Sequence, residues 1–168
     1  VVMTLARFSE AFLVLRAVDA GLPAMLAPLV LVVMGVAYSL SAYPAGVLSD
    51  RLPRHQVLAA GMVLLVLADL ALALLPGLWG LALGAALWGL HMGCTQGLLN
   101  AMVADTVPAD LRGTAFGVFH LLAGVALLLA SVIAGALWDR LGHEGTFIAG
   151  AVFAVVAMLG FVARRQRA

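Results

Sequence analysis

Two long stretches of this chain, Leu78–Val103 and Thr114–Trp138, contain no aspartate, glutamate, lysine or arginine. Each is longer than the roughly 20 apolar residues that an α-helix needs to cross the hydrocarbon core of a bilayer. The rest of the sequence agrees, because 65% of all residues are hydrophobic and only 10% are charged. The sequence therefore predicts a chain whose solvent is mostly lipid, and it excludes an ordinary soluble domain.

Six apolar stretches predict six transmembrane helices. They cover about Val2–Ala20, Leu22 to about Leu48, Val57–Leu75, Leu78–Val103, Thr114–Trp138 and Thr146–Ala163. The first stretch contains four charged residues and the second contains three prolines, whereas the last three contain no charged residue. Lipid cannot satisfy an open sheet edge, and the stretches lack the alternation of barrel strands. We therefore expect an all-α integral membrane fold.

The arginines predict how the helices are oriented. If the chain crosses the membrane regularly, six of them fall on one side: Arg51, Arg54, Arg112, Arg164, Arg165 and Arg167. The opposite side holds Arg140, with Arg16 near the end of the first span. Because positive charge is retained on the cytoplasmic side, we expect both ends of the chain in the cytoplasm.

Charge and cysteine content exclude several kinds of partner. The formal net charge is only +1, which gives no basic face for a nucleic acid. The single cysteine, Cys94, can form neither an internal disulfide nor a zinc site. We therefore predict no nucleic-acid partner, no cofactor and no metal site, and we expect the lipid bilayer to be the main surrounding.

A polar phrase occurs twice in this apolar sequence. Ala45–Leu52 reads AGVLSDRL and Ala134–Leu141 reads AGALWDRL. The copies are three predicted helices apart, and an odd number of crossings places them on opposite faces of the membrane. Inverted three-plus-three repeats of this kind build many secondary transporters. We therefore divide a single domain, 1–168, into repeat A at about 1–77 and repeat B at about 78–168.

Several stretches resemble the major facilitator superfamily. GVLSDRLPRH (Gly46–His55) is similar to the signature loop after the second helix of each six-helix half, with Pro53 and His55 in place of a glycine and a lysine. TVPADLRGTAFG (Thr106–Gly117) resembles the cytoplasmic loop before the fifth helix of a half. ARFSEAFLVLRA and AGALWDRLG resemble the C-terminal half of bacterial members.

This resemblance implies a six-helix C-terminal bundle of a twelve-helix transporter in the bacterial inner membrane. The partner it implies is an N-terminal six-helix bundle upstream of these residues or, as the weaker alternative, a second copy of the chain. The other implied ligand is a small solute, held in a cavity lined by the first, second, fourth and fifth helices of each half.

The first copy of the phrase is predicted to form a gating motif. Its members are Gly46, Asp50, Arg51, Arg54 and Arg112. Gly46 would let its helix approach a neighbour closely, and Asp50 could pair with one of the three arginines. Breaking such a pair would bias which face of the transporter is open. The simpler interpretation, retention of positive charge, suffices for Arg54. The second copy gives a periplasmic repeat motif: Gly135, Asp139 and Arg140.

Polar residues within predicted spans are candidates for proton or substrate binding, because such residues are costly in lipid. The candidates are Arg7, Glu10, His91, Gln96 and Asn100. Arg7 and Glu10 stand three residues apart, so on a helix they would share a face and could pair. On a helical wheel His91 projects opposite Gln96 and Asn100, so we do not expect both groups to face one cavity squarely. Gly89, Gly93 and Gly97 predict close helix packing.

Three functions are considered for this sequence. The leading one is secondary active transport of a small solute by alternating access, coupled to protons. The second is a membrane scaffold or partner subunit that retains the fold without transport. The third, an intramembrane hydrolase using a serine with His91 or His120, is disfavoured because no G-x-S-x-G or H-E-x-x-H pattern is present. We therefore expect the protein not to be an enzyme.

Overall fold

The computed structural model describes residues 7–165 of the 168-residue chain, the last five of them through their backbone alone. Every regular element in that range is helical: α1 (Ala11–Asp19), α2 (Leu29–Arg51), α3 (Arg54–Leu74), α4 (Gly77–Asp105) and α5 (Arg112–Arg165), with a 3-10 turn at Ala109–Leu111. The predicted all-α class is confirmed. By length and composition, four of these helices, α2 to α5, can cross a membrane.

The six predicted spans correspond to these helices unequally. The third and fourth spans agree with α3 and α4, whereas the fifth and sixth both fall within α5. The first span is represented by α1, whose nine residues cover only about 14 Å. The predicted start of that span, residues 1–6, lies outside the described residues. Four helices rather than six therefore qualify as spans by length and composition alone.

The second span begins later than predicted. We expected it to start at Leu22, but α2 begins at Leu29. Pro23 and Pro28 explain the difference, since proline lacks an amide hydrogen and disfavours helical geometry in the residue before it. The chain instead makes tight turns there, with the amides of Leu26 and Ala27 donating to the Pro23 carbonyl at 2.8 and 3.0 Å.

A single glycine divides α5 into two arms, 112–141 and 143–165. Gly142 has φ 68° and ψ −166°, a backbone conformation that only glycine adopts readily. The two arms lie side by side. Ala130 and Ala134 of the first arm line the same groove as Ala157 of the second arm. The predicted spans leave Asp139–Gly145 as a loop, but in the structure helical geometry is interrupted there only at Gly142.

The helices pack around an aromatic core. α2 packs along α4, while α3 contacts both α4 and α5. At the centre, five rings have neighbouring centroids 5.1 to 6.5 Å apart: Phe8, Phe12, Trp88, Trp138 and Phe147. By contrast, α2 and the first arm of α5 expose large apolar side chains, such as Leu40 (73%) and Leu121 (67%). Such surfaces are expected to face lipid or another helix bundle.

Contacts between polar side chains mark the two ends of this bundle. Arg54 at the start of α3 pairs with Asp105 at the end of α4. At the other end, His143 Nδ1 lies 2.6 Å from Asp19 Oδ2, beside the break in α5. α4 separates the ends, and its 29 residues span about 43 Å. The two copies of the repeated phrase therefore lie at opposite ends of the bundle.

Candidate functional site

A cavity of about 210 Å³ lies beside the C-terminal half of α4, bordered by Arg7, which precedes α1, and by the first arm of α5. Its polar lining residues are Arg7, His91, Thr95, Gln96, Asn100 and His120. Four of the five predicted proton or substrate candidates therefore meet at one cavity. The fifth, Glu10, is half-buried but does not line it. Asp69, fully buried in α3, is also outside this lining.

His91 is the most enclosed ionisable residue of the cavity, with 4% of its surface exposed. Its Nδ1 lies 2.7 Å from the Gly61 carbonyl oxygen of α3. A carbonyl only accepts hydrogen bonds, so Nδ1 carries the hydrogen and Nε2 keeps a lone pair in the neutral ring. The Thr95 hydroxyl is already used, because it donates to the His91 carbonyl at 2.8 Å. Nε2 is therefore the ring nitrogen available to a proton or a solute.

His91 and Asn100 line one cavity, and we expected only that they would not both face it squarely. The two residues are indeed about 180° apart on a helical wheel. However, the arc between them, which includes Leu99 and Gln96, forms one wall of the cavity. His91 and Asn100 therefore line opposite flanks of that wall at different heights along α4.

Arg7 and Glu10 do not form the predicted helical pair. The helix begins at Ala11, so both residues precede it. The Ser9 side chain accounts for this start, since its hydroxyl oxygen accepts a hydrogen bond from the Ala11 amide at 3.2 Å. The Ser9 amide in turn donates to the Ser131 hydroxyl of α5 at 3.1 Å. No ion pair within 4 Å joins Arg7 to Glu10 among the described residues.

The predicted gating residues lie at the end of the bundle where Arg54 pairs with Asp105. Sequence reasoning missed Asp105, although it begins the polar stretch between α4 and α5. Asp50, Arg51 and Arg112 are exposed, and none of them has an ion pair among the described side chains of residues 7–160. Gly46, Asp50 and Arg54 border a groove of about 290 Å³ between α2 and α4.

The predicted close approach at Gly46 is not found. A Cβ atom built there would meet no heavy atom within 4 Å in the described part of the chain. The glycines of α4 divide in the same way. Gly89 and Gly93 pack tightly on α2, as predicted, whereas a Cβ at Gly97 would also meet nothing within 4 Å. The small residue is thus required by packing at two of the three α4 positions.

This division predicts a clear contrast between two alanine variants. At Gly89, a Cβ would lie 2.9 Å from the Tyr38 backbone nitrogen and 2.9 Å from the Ala37 Cβ, and it would also collide with the Met34 carbonyl. We expect Gly89→Ala to destabilise the protein by about 1–3 kcal/mol, because backbone must move to relieve the clash. Gly97→Ala is the matched control and should change stability little. Denaturant unfolding in micelles would measure both, and equal stabilities would contradict the described α2–α4 packing.

The second copy of the repeated phrase lies at the opposite end of the bundle, where Asp139 and Arg140 are exposed and Gly135 is half-buried. The polar network there centres on Arg16, for which the sequence predicted only the side of the membrane. Arg16 is 3% exposed, and it donates from Nε to the Leu72 carbonyl at 3.0 Å and from Nη2 to the Leu75 carbonyl at 3.2 Å. An arginine that caps another helix leaves no local spacing signal in the sequence.

The comparisons with known proteins agree with this architecture. Residues 2–168 match the family model of the Major Facilitator Superfamily. The chain belongs to that superfamily. With four apolar helices long enough to cross a bilayer, this superfamily member is a multi-pass membrane protein.

Two relatives within the superfamily carry transporter names. An uncharacterized MFS-type transporter of Methanocaldococcus jannaschii is 34% identical over 165 residues, which is 94% of this chain and 41% of that protein. The multidrug efflux pump Tap of Mycobacterium tuberculosis is 31% identical over 119 residues, which is 71% of this chain and 28% of the pump. The chain thus spans less than half the length of these relatives.

Solved structures show the same fold. A peptide transporter POT in complex with alafosfalin superposes with a TM-score of 0.75 at 22% identity, over 98% of this chain and 36% of that one. The POT family transporter PepTSo gives 0.74 at 19% identity, over 99% and 36% of the two chains. At these identities the likeness concerns the fold alone.

Proposed function

We propose that these residues form the C-terminal six-helix half of a secondary transporter that moves a small solute by alternating access and is coupled to protons. In this proposal the two arms of α5 are two spans, and α1 with the residues before it is the first. The opposite half is a second six-helix bundle of the same polypeptide, and a second copy of this chain is the less favoured source. The names of the relatives support transport, and their greater length supports a partner bundle.

The observation that carries the proposal is the polar cavity beside α4. Arg7, Gln96 and Asn100 are half-buried there, next to helices that expose mostly apolar side chains. A charge at the centre of a bilayer costs about 2.5–3.5 kcal/mol on insertion scales. Such residues are stable in a membrane when they face water, a solute or another polar wall. A solute pathway between two bundles supplies all three.

A non-transporting scaffold is the rival function. A scaffold would need the exposed apolar faces of α2 and α5 for a partner, but it has no use for a cavity lined by polar side chains. Family membership likewise favours transport over hydrolysis. The two functions differ in one measurable respect, which is solute flux driven by a gradient.

We further propose that the end of the bundle with Arg54 and Asp105 faces the cytoplasm, in a bacterial inner membrane. Arg51 and Arg112 are near this end, as is the end of α5 with Arg164 and Arg165, in agreement with retention of positive charge inside. The gate would then consist of the Arg54–Asp105 pair together with the exposed Asp50. The repeat motif with Asp139 would act on the periplasmic face.

The proposed gate predicts how charge-neutralising variants behave in proteoliposomes containing the natural polypeptide that carries these residues. We expect Asp105→Asn and Arg54→Gln each to reduce proton-driven flux severalfold, and the double variant to be no worse than either, because both remove one ion pair. Asp50→Asn should also impair flux while membrane insertion stays normal. Asp110→Asn, in the same polar stretch but in no ion pair among the described side chains, is the control.

The result separates the candidate functions. Flux in the wild type with non-additive losses in the variants supports a gated transporter. Wild-type protein that inserts and folds but moves no solute would favour the scaffold. Additive losses from Arg54→Gln and Asp105→Asn would show that the two residues act separately.

A further inference from the structure

All ionisable residues among the described lining of the cavity beside α4 are basic. Arg7 contributes a permanent positive charge, and His91 and His120 contribute imidazoles that can only add to it. Gln96 and Asn100 contribute neutral carboxamides, each with two N–H donors. No acidic side chain is found among the described lining residues. The cavity lining thus offers a cation and several donors but no carboxylate, and Glu10 attracts Arg7 electrostatically from outside this lining.

The acidic residues of the chain are placed elsewhere. Of the eight in the sequence, Asp19 is paired with His143, Asp105 is paired with Arg54, and Asp69 is fully buried against Gly150. Four are exposed and lie near helix ends: Asp50, Asp110, Asp139 and Glu144. Glu10 follows Arg7 by three residues but neither lines the cavity nor pairs with Arg7 within 4 Å.

A half-buried guanidinium in an apolar setting is costly unless an anion or water solvates it. Its planar fork matches the two oxygens of a carboxylate or a phosphate, so an anionic solute would satisfy several of its donors at once. Gln96 and Asn100 lie on the same cavity and can donate further hydrogen bonds to the same group. A cationic solute would meet repulsion from Arg7 and find no carboxylate on this wall.

We propose that this cavity binds its solute through an anionic group, a carboxylate or a phosphate, with Arg7 as the main cation and Gln96 and Asn100 as supporting donors. The inference rests on the proposed function in taking the cavity as the solute site, and it adds the charge class of the solute. Phe119, which lines the cavity near His120, provides an apolar surface for the rest of the molecule.

Equilibrium binding tests the inference independently of transport. The natural polypeptide in lipid nanodiscs is dialysed against two matched series, in which only the polar group differs. The first is benzoate, phenyl phosphate, benzamide and benzylamine; the second is butyrate, butyl phosphate, butyramide and butylamine. We expect retention of the anions over the amide and amine of the same series. Retention of only the carboxylates or only the phosphates would identify which anionic group the cavity recognises.

Variants locate the binding at Arg7. We expect Arg7→Gln to weaken retention of the anions about tenfold to hundredfold, as for loss of hydrogen bonds to a charged group. Arg7→Lys, which keeps the charge, should retain most of the preference for anions even if its affinity falls. Glu144→Gln removes an exposed charge at the far end of the bundle, outside the cavity lining, and serves as the control.

Several outcomes would overturn the inference: preferred retention of the amines, equal retention of all four members of a series, retention of none, or anion binding that Arg7→Gln leaves unchanged. Proton-driven flux of the same compounds is measured in parallel. Anion binding without flux would contradict the proposed function while supporting the anion site. Flux of amines would support transport and contradict the anion site.

Discussion

Replacing His91 with glutamine is expected to reduce proton-driven solute accumulation by about a hundredfold or more, which is the scale of a positioned proton-transfer group. His91 is buried beside the cavity, its Nδ1 hydrogen is held by the Gly61 carbonyl at 2.7 Å, and Nε2 remains to accept a proton. Glutamine keeps an N–H donor for Gly61 but cannot take up that proton. The measurement is accumulation in proteoliposomes under an imposed proton gradient.

Solute exchange without a gradient separates coupling from binding. We expect exchange to persist in His91→Gln, because the solute site retains Arg7, Gln96 and Asn100. His55→Gln is the matched control, since His55 lies at the start of α3, away from the cavity. Full gradient-driven accumulation by His91→Gln would remove His91 from the coupling mechanism. Loss of exchange together with accumulation would assign it to solute binding instead.

Replacing Arg16 with methionine is expected to lower the free energy of unfolding by about 2–5 kcal/mol, because two carbonyls at the C-terminal end of α3, those of Leu72 and the capping Leu75, lose their donor. The last carbonyls of a helix have no partner within the helix. Arg16 supplies one to Leu72 at 3.0 Å and one to Leu75 at 3.2 Å, and its Nη1 lies 3.7 Å from Asp19 Oδ2. Methionine keeps much of the packing volume but has no hydrogen-bond donor.

Denaturant unfolding in micelles measures this loss. Arg140→Met removes an exposed arginine near the same end of the bundle and should cost little. Arg16→Lys should fall between the two, since one ammonium cannot reproduce the fork of the guanidinium. Equal stabilities for Arg16→Met and Arg140→Met would show that the network does not hold α1 to α3.

The all-helical membrane fold of the chain was predictable from the sequence, because a chain that crosses lipid must satisfy its backbone hydrogen bonds internally. Long uncharged runs can only be helices, and α3 and α4 agree closely with the predicted spans. Positions decided by local backbone chemistry were less predictable. Pro23 and Pro28 delay α2, while Gly142 allows α5 to reverse direction at a single residue. A charge-rich stretch such as Asp139–Gly145 predicts a loop, although it is largely helical.

The candidate site was predictable by residue type but not by geometry. Polar residues in spans are rare, so Arg7, His91, Gln96 and Asn100 were evident candidates, and all four line one cavity. Their arrangement depends on contacts between helices distant in sequence, as does the pairing of Arg54 with Asp105. A helical wheel places residues around one helix, but it does not describe the concave surface formed where several elements of the chain meet.

Cysteine labelling tests whether the cavity opens alternately to the two faces of the membrane, as we propose. Cys94 is the only cysteine in these 168 residues, so replacing it and any cysteine of the opposite bundle with alanine gives a background in which Ala123→Cys places one thiol at the cavity. Two exposed positions report sidedness: Leu111→Cys near Asp105 and Leu141→Cys beside the Gly142 break. A membrane-impermeant maleimide is applied from either face of oriented vesicles, with and without a proton gradient.

We expect Leu111→Cys to react only from the cytoplasmic face and Leu141→Cys only from the opposite face. Ala123→Cys should react from both faces, with proportions that change when the proton gradient is imposed, because the cavity is exposed to one side at a time. Reaction of Ala123→Cys from one face under every condition, in protein whose two control positions label as expected, would contradict alternating access.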